Sequence, residues 1–212
     1  EAATLPIAAH TVWHCLMTQA QMKPWDTVLV QAAGSGVGSM AIQMAKMVGA
    51  RVITTAGSQW KLDKAKEWGA DEVINYQETP KFSDRVKELT GGQGADVIYD
   101  PIGGDAFQQA LRCVNWNGRI LVIGFAADGD NLPKAATNLL LLKGSALVGV
   151  FWGRFSEQEP DRNRANMERL FAWYEAGELH PHISHRFPLA RGAEALQALT
   201  AREVVGKCVV TL

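Results

Sequence analysis

The residues best placed to do chemistry stand in one run, Gln31-Ala32-Ala33-Gly34-Ser35-Gly36-Val37-Gly38. A phosphate is held by backbone N–H groups at a helix start, where small residues allow close approach and the helix dipole favours negative charge. In the three-glycine frame G-x-G-x-x-G, this run places Ala33, Ser35 and Gly38, so only the third glycine is kept. That position is where the helix must pack tightly. The short apolar segment 27–30 precedes the run and an apolar helical pattern, 40–47, follows it. A strand before and a helix after turn a weak motif into an expected site for a dinucleotide pyrophosphate.

The end of the second strand, expected at 51–55, says which dinucleotide. A site for NAD usually places a carboxylate there for the ribose hydroxyls. This chain reads Thr54-Thr55-Ala56-Gly57-Ser58, followed by Lys61. No acid is present to repel a 2′-phosphate, while the Ser58 hydroxyl and the Lys61 ammonium can bind one. The expected cofactor is therefore NADPH. For Lys61 a solvated helix lysine is the other reading.

These residues need a scaffold, and its periodicity is legible. A helix is expected over 9–20, a turn over 23–26 and a strand over 27–30. The strands 51–55, 72–75, 95–99, 118–124 and 145–151 then alternate with helices. The first of these runs from a cap at Ser58 to just before Gly69, and the others cover 82–89, 104–113 and 134–142. Such alternation means a parallel sheet with right-handed crossovers. Six strands complete a doubly wound α/β Rossmann sheet. Beyond it lie a helix over 160–176, a segment 182–188, a short helix over 192–200 and a closing strand over 205–211, together a C-terminal appendage. The charge run 157–164 reads as a solvated helix start. The expected division is a leading helical segment, 1–22, a nucleotide-binding domain, 23–155, and a C-terminal part, 156–212.

Bulk properties exclude several classes. The net charge is -1 with both signs interspersed, which gives no electrostatic case for nucleic acid or an anionic membrane. No apolar run reaches the length of a membrane span, and no basic-then-apolar leader is present. The three cysteines, Cys15, Cys113 and Cys208, are odd in number and far apart, as expected in a reducing, cytoplasmic compartment.

Several runs together resemble the quinone oxidoreductase (zeta-crystallin-like) branch of the medium-chain dehydrogenase/reductases. They are 32–38, 69–76, 89–97, Tyr99-Asp100-Pro101-Ile102-Gly103-Gly104, 138–143, 149–153 and the closing Val205-Gly206-Lys207-Cys208-Val209-Val210. The resemblance implies reduction of a quinone, or of a similarly activated carbonyl or alkene acceptor, by NADPH. It implies that Lys61 and Tyr76 contact the 2′-phosphate and that Gly124 and Phe125 lie beside the ribose and nicotinamide. It further implies that Phe151 and Trp152 close over the nicotinamide side. On the bare residues, Tyr76 could equally be a strand-end tyrosine and Phe151 a core aromatic.

Members of the branch carry an N-terminal GroES-like catalytic domain, whereas this chain starts at the helix that leads into the nucleotide fold. The chain is thus expected to be the cofactor-binding part, with apolar surface exposed from about residue 182 onward, and no catalytic residue is named within it. Zinc is not expected, because the stretch 5–9 holds no cysteine ligand. Neither His10 with His14 nor the group His180, His182 and His185 has a cysteine or carboxylate to complete a shell. An enoyl reductase domain and a non-catalytic NADPH-binding module remain alternatives. A homodimer is expected through the sheet edge at 146–150, which is apolar enough to pair with a symmetry mate.

Overall fold

A computed structural model describes residues 2–127 and 132–212. Six strands, β1 (Thr27–Val30), β2 (Arg51–Ala56), β3 (Glu72–Asn75), β4 (Ala95–Asp100), β5 (Val114–Val122) and β6 (Ala146–Gly149), lie in the order β3-β2-β1-β4-β5-β6. Every neighbouring pair is parallel. The chain winds outward from β1 in both directions, so a crevice opens at the carboxyl ends of β1 and β4, where strand order reverses. This is the doubly wound Rossmann sheet that the alternating pattern implies.

The helices are α1 (Leu5–Trp13), α2 (Gly36–Val48), α3 (Gln59–Glu67), α4 (Phe82–Leu89), α5 (Gly104–Cys113), α6 (Thr137–Lys143), α7 (Trp152–Gln158), α8 (Pro160–Glu175) and α9 (Gly192–Thr200). Side chains alternate across a strand, so the central strands feed two cores. Val28, Val30, Val52, Val97 and Tyr99 pack with α1, α2 and α8 on one face. Leu29, Ile53, Ile98 and Ile120 pack with α4 and α5 on the other.

Local boundaries depart from the sequence expectations for identifiable reasons. The first helix begins at Leu5 and ends in a π-helical turn, His14–Gln19. Its residues Leu5, Ala8, Ala9, Val12 and Leu16 are all buried against the main core. Strand β5 starts four residues earlier than expected, at Val114, because a bulge opposite β4 and a left-handed Asn117 absorb the irregular stretch. It ends at Val122, before Gly124. Helix α7 has no counterpart in the sequence reading. It stops at Glu159, since the residue before Pro160 is held out of the helical region, and the charge run 157–164 straddles that break.

Beyond α8, β7 (Ile183–Pro188), α9 and β8 (Lys207–Thr211) form a β-α-β unit with its own two-stranded parallel sheet. Leu189, Leu196, Leu199, Val210 and Leu212 on this unit are exposed. At the amino edge of the main sheet, the buried Asp26 carboxylate accepts from Arg119 at 2.5 Å and from the Lys23 N–H at 3.0 Å. Asp96 accepts from the Thr27 N–H and from Asn115. These carboxylates tie β1, β4 and β5 together at the end away from the crevice. Among the described residues no helix is long and apolar enough to cross a membrane.

Candidate cofactor site

The Gly-rich turn leaves β1 at the centre of the crevice. Its left-handed residue is Ala32, at φ 57°, and not Ala33. Alanine at 33, where the common frame has glycine, is therefore free of backbone strain, and the strain sits one residue earlier. Ala32 is held there by its carbonyl, which accepts the Ser35 N–H at 2.9 Å. Ser35 replaces the second glycine because it is the N-cap of α2: its Oγ accepts the Gly38 N–H at 2.9 Å. That bond leaves the amides of Gly36 and Val37, which have no intrahelical acceptor, as the donors at the helix start.

Glycines 34, 36 and 38 are all closely covered, but only Gly38 has rigid backbone as its nearest cover. A Cβ on Gly38 would collide with the carbonyl oxygen of Ala32. On Gly34 it would lie 2.9 Å from Cδ of Lys61, and on Gly36 2.6 Å from Cε of Lys207. Gly57, just past β2, repeats the pattern, with a Cβ there only 2.5 Å from the Tyr76 hydroxyl. Three glycines thus lie beneath two lysines and a tyrosine. Lys61 reaches the turn from the first turn of α3, and Tyr76 follows the last residue of β3. Ser58 stands at the N-cap of α3 without a side-chain capping bond.

Lys207 comes from the far end of the chain, and periodicity in the sequence carried no sign of its role. The Gly206 N–H donates to the Gly34 carbonyl at 2.9 Å, and Ser35 and Gly206 form a parallel bridge, which lays the start of β8 along the turn. Burial lowers the Lys207 ammonium pKa. Lys61 is lowered as well, first by burial and then by the charge of Arg202.

Across the switch point, Asp100 ends β4. Its Oδ1 accepts the Ile102 and Gly103 N–H groups, both at 2.9 Å, and shapes the loop that follows. Burial raises its carboxyl pKa, against the pull of those two bonds. The Ala126 and Ala127 amides donate to the Pro101 and Ile102 carbonyls, so the loops after β4 and β5 run side by side. Gly124 packs on the Pro101 carbonyl, and Phe125, 40% exposed, stands over Gly103. Phe151 is 74% exposed and is not a core aromatic. Trp152 turns toward the helices: its indole N–H donates to Asn163 at 3.0 Å and its ring lies 5.4 Å from that of His10.

The histidines are placed individually. His10 bonds the Asn163 carbonyl and His14 stacks on Phe155 at 4.1 Å. His182 packs against Trp68, and His185 bonds Ser184. Among the described residues no three His, Cys, Asp or Glu side chains converge as a metal site.

The site fits a dinucleotide. Amides at a helix start without an intrahelical acceptor, glycines that leave the backbone open to close approach, and two ammonium groups above them are donors suited to a pyrophosphate. Comparison with known proteins agrees: residues 36–171 match the family model described as "Zinc-binding dehydrogenase". The chain belongs to the medium-chain dehydrogenase/reductase superfamily. It corresponds to the cofactor-binding part, and quinone oxidoreductase-like proteins are among its relatives.

A "Quinone oxidoreductase-like protein 2 homolog" from Nematostella vectensis is 37% identical over 99% of this chain and 57% of its own length. A "2-haloacrylate reductase" from a Burkholderia species is 32% identical over 98% of this chain and 62% of its own. Among solved structures, a mycobacterial protein complexed with NADPH superposes with a TM-score of 0.88 at 29% identity, covering 97% of this chain and 62% of that one. An "NAD-dependent alcohol dehydrogenase" gives a TM-score of 0.86 at 34% identity, over 100% and 58%. The chain spans about three fifths of the length of these relatives.

Proposed function

We propose that this chain binds NADPH and forms the cofactor half of a zinc-independent oxidoreductase that reduces a quinone or a similarly activated carbonyl or alkene acceptor. One observation carries the cofactor reading: Lys61 and Tyr76 stand over Gly34 and Gly57 at the end of β2, where no carboxylate is present. A carboxylate there would bond ribose hydroxyls and repel a 2′-phosphate, whereas an ammonium with a phenol favours that phosphate. The family's acceptors supply the substrate reading, with one relative named for a quinone and another for a haloacrylate.

When bound, the cofactor supplies a hydride, and the protein supplies orientation and shelter from water. The Ala33-Gly34-Ser35-Gly36-Val37-Gly38 turn holds the pyrophosphate through the Gly36 and Val37 amides. Lys61, Tyr76 and Ser58 hold the phosphate on the adenosine ribose. Gly124 and Phe125 line the path toward the nicotinamide, and Phe151, with Trp152 anchored behind it, covers that end. The acceptor is a small molecule, taken up beside Phe125 and Phe151. Cys15, Cys113 and Cys208 are free thiols, in keeping with a cytoplasmic protein. The edge strand β6 has half-exposed Leu147 and Val148 and is the pairing surface for a homodimer.

Titration of the chain with NADPH and NADH tests the cofactor reading. NADPH is expected to bind more tightly, and Lys61→Ala to weaken NADPH about tenfold with NADH unchanged. Equal loss for both nucleotides would defeat it.

A further inference from the structure

Phe151 leads the chain out of the sheet at the open end of the crevice. The Val150 N–H still bonds the Val122 carbonyl of β5 at 2.9 Å, and α7 then begins at Trp152 with Phe151 as its N-cap. The Phe151 ring folds over Gly153, where a Cβ would lie 3.1 Å from Cε2 of the ring. The ring therefore follows the direction of α7. A seven-residue helix is too short to hold a direction by itself, and Pro160 separates it from α8. Its orientation has to come from contacts with the rest of the molecule.

Those contacts gather on one residue of α8. Oδ1 of Asn163 accepts the Trp152 indole N–H at 3.0 Å, and the Asn163 main-chain carbonyl accepts from Nε2 of His10 at 3.1 Å. The His10 and Trp152 rings lie against each other, with 5.4 Å between centroids and 32° between planes. Asn163 thus ties α1, α7 and α8 together at one point. The other anchor of α7 is Phe155, buried and stacked on His14 at 4.1 Å. An apolar ring sets how deep the helix sits but can slide on its neighbour. A hydrogen bond to the indole is directional and fixes how α7 is turned about its axis.

We propose that Asn163 is a positioning residue for the nicotinamide end of the cofactor site. By holding the Trp152 indole it sets the rotation of α7, and α7 sets the Phe151 ring over the space where the nicotinamide lies. This rests on the NADPH reading above and deepens it. Asn163 stands behind Trp152 and acts only through it. An indole without its acceptor can turn, Phe151 turns with it, and the nicotinamide end loses its cover from water. The Gly-rich turn, Lys61 and Tyr76 lie on the other side of the crevice and are left as they were.

The test measures dissociation constants for NADPH, adenosine 2′,5′-bisphosphate and adenosine 5′-monophosphate by calorimetry on the full chain and its variants. The bisphosphate carries no nicotinamide, so a change in the ratio of NADPH to bisphosphate affinity reads that end of the site. Asn163→Ala is expected to lower the ratio about fivefold, the net contribution of one hydrogen bond, with bisphosphate affinity unchanged. Asn163→Asp keeps an acceptor for the indole and should restore most of the ratio. Trp152→Phe removes the donor while keeping a ring against His10, and it should match Asn163→Ala. In a Phe151→Ala background, Asn163→Ala should cause no further loss.

An unchanged ratio in both Asn163→Ala and Trp152→Phe, with the bisphosphate still bound, would overturn the role of Asn163 and leave the NADPH reading standing. Equal weakening of NADPH and the bisphosphate would make the residue a structural tie alone and also overturn it. So would a failure of Asn163→Asp to recover the ratio, or a full further loss from Asn163→Ala when Phe151 is already absent. Wild-type affinity equal for the bisphosphate and the monophosphate would overturn the NADPH reading and this inference with it.

Discussion

The two ends of the crevice are built differently. On the β1–β3 side the walls are complete within this chain: glycines 34, 36 and 57 lie under Lys61, Lys207 and Tyr76, and the C-terminal unit is bonded across the turn. On the β4–β6 side, Phe125 and Phe151 stand exposed, and Trp152 is turned back onto α1 and α8. The first side recognises charge, which needs donors at fixed distances in a crowded setting. The second offers flat apolar surface, which gains little until something covers it. In the proposed function, nucleotide recognition is thus concentrated where the packing is tight, and the acceptor end is the open one.

Substitutions can break this contrast to different degrees. Gly38→Ala should have the largest effect, because the new Cβ meets the Ala32 carbonyl and neither backbone can yield. We expect a loss of about 3 kcal/mol in denaturant unfolding, together with loss of nucleotide binding. Retained binding in a stable Gly38→Ala protein would show that the turn is looser than its geometry indicates.

Asp26→Ala should come next. It leaves Arg119 partly buried without its partner, at a cost of about 2 kcal/mol, less than for a fully buried pair because Arg119 keeps some solvent. Nucleotide affinity should be unchanged, since Asp26 lies at the opposite edge of the sheet. A parallel fall in affinity would mean that the two edges are coupled.

Acidification probes the packing behind Trp152. Burial lowers the pKa of both His10 and His14. For His10 the Asn163 and Pro6 carbonyls oppose burial, while for His14 Glu159 opposes it and Arg162 adds to it. Each takes up its proton at lower pH when folded than when unfolded, so the unfolded chain binds more protons just below the ordinary histidine value of 6.5. Their contribution is therefore intact above that value and declines as pH falls through it toward their lower folded values. Thermal melts from pH 7 to pH 5 should show a falling Tm, with a shallower fall in His14→Phe. Equal slopes would exonerate His14.

Phe151→Ala should have the smallest effect. With the side chain largely in solvent, stability should change by about 0.5 kcal/mol or less. Affinity for adenosine 2′,5′-bisphosphate should hold, while the dependence on the nicotinamide end, read as NADPH against the bisphosphate, should weaken. A large loss of stability would show that Phe151 is covered within this chain.

Much of this molecule was legible as residue pattern. Six strand segments alternating with helices announced a doubly wound sheet, because a parallel pair of strands needs a helical crossover between them. That order places Gly38 at the start of the helix after β1, Lys61 in the first turn of the helix after β2, and Tyr76 just past β3. The missing acid after β2 could be read directly, since the absence of a charge needs no folding to be seen. Local boundaries such as the early start of β5 and the extra helix α7 were obscured by a bulge and by Pro160, whose effects depend on what the neighbouring strand and helix do.

Only the tertiary structure decided which residue of the turn carries the strain, Ala32 and not Ala33, and what lies over glycines 34 and 36. The atoms that crowd them belong to Lys61 and Lys207, the latter some 170 residues away. It alone brought Arg202 to Lys61 and turned Trp152 inward. Periodicity reports how a segment meets its own sheet or core, a relation repeated every two or four residues. A contact made once, between distant loops, leaves no repeat in the sequence, and it becomes visible when the chain has folded back on its own Gly-rich turn.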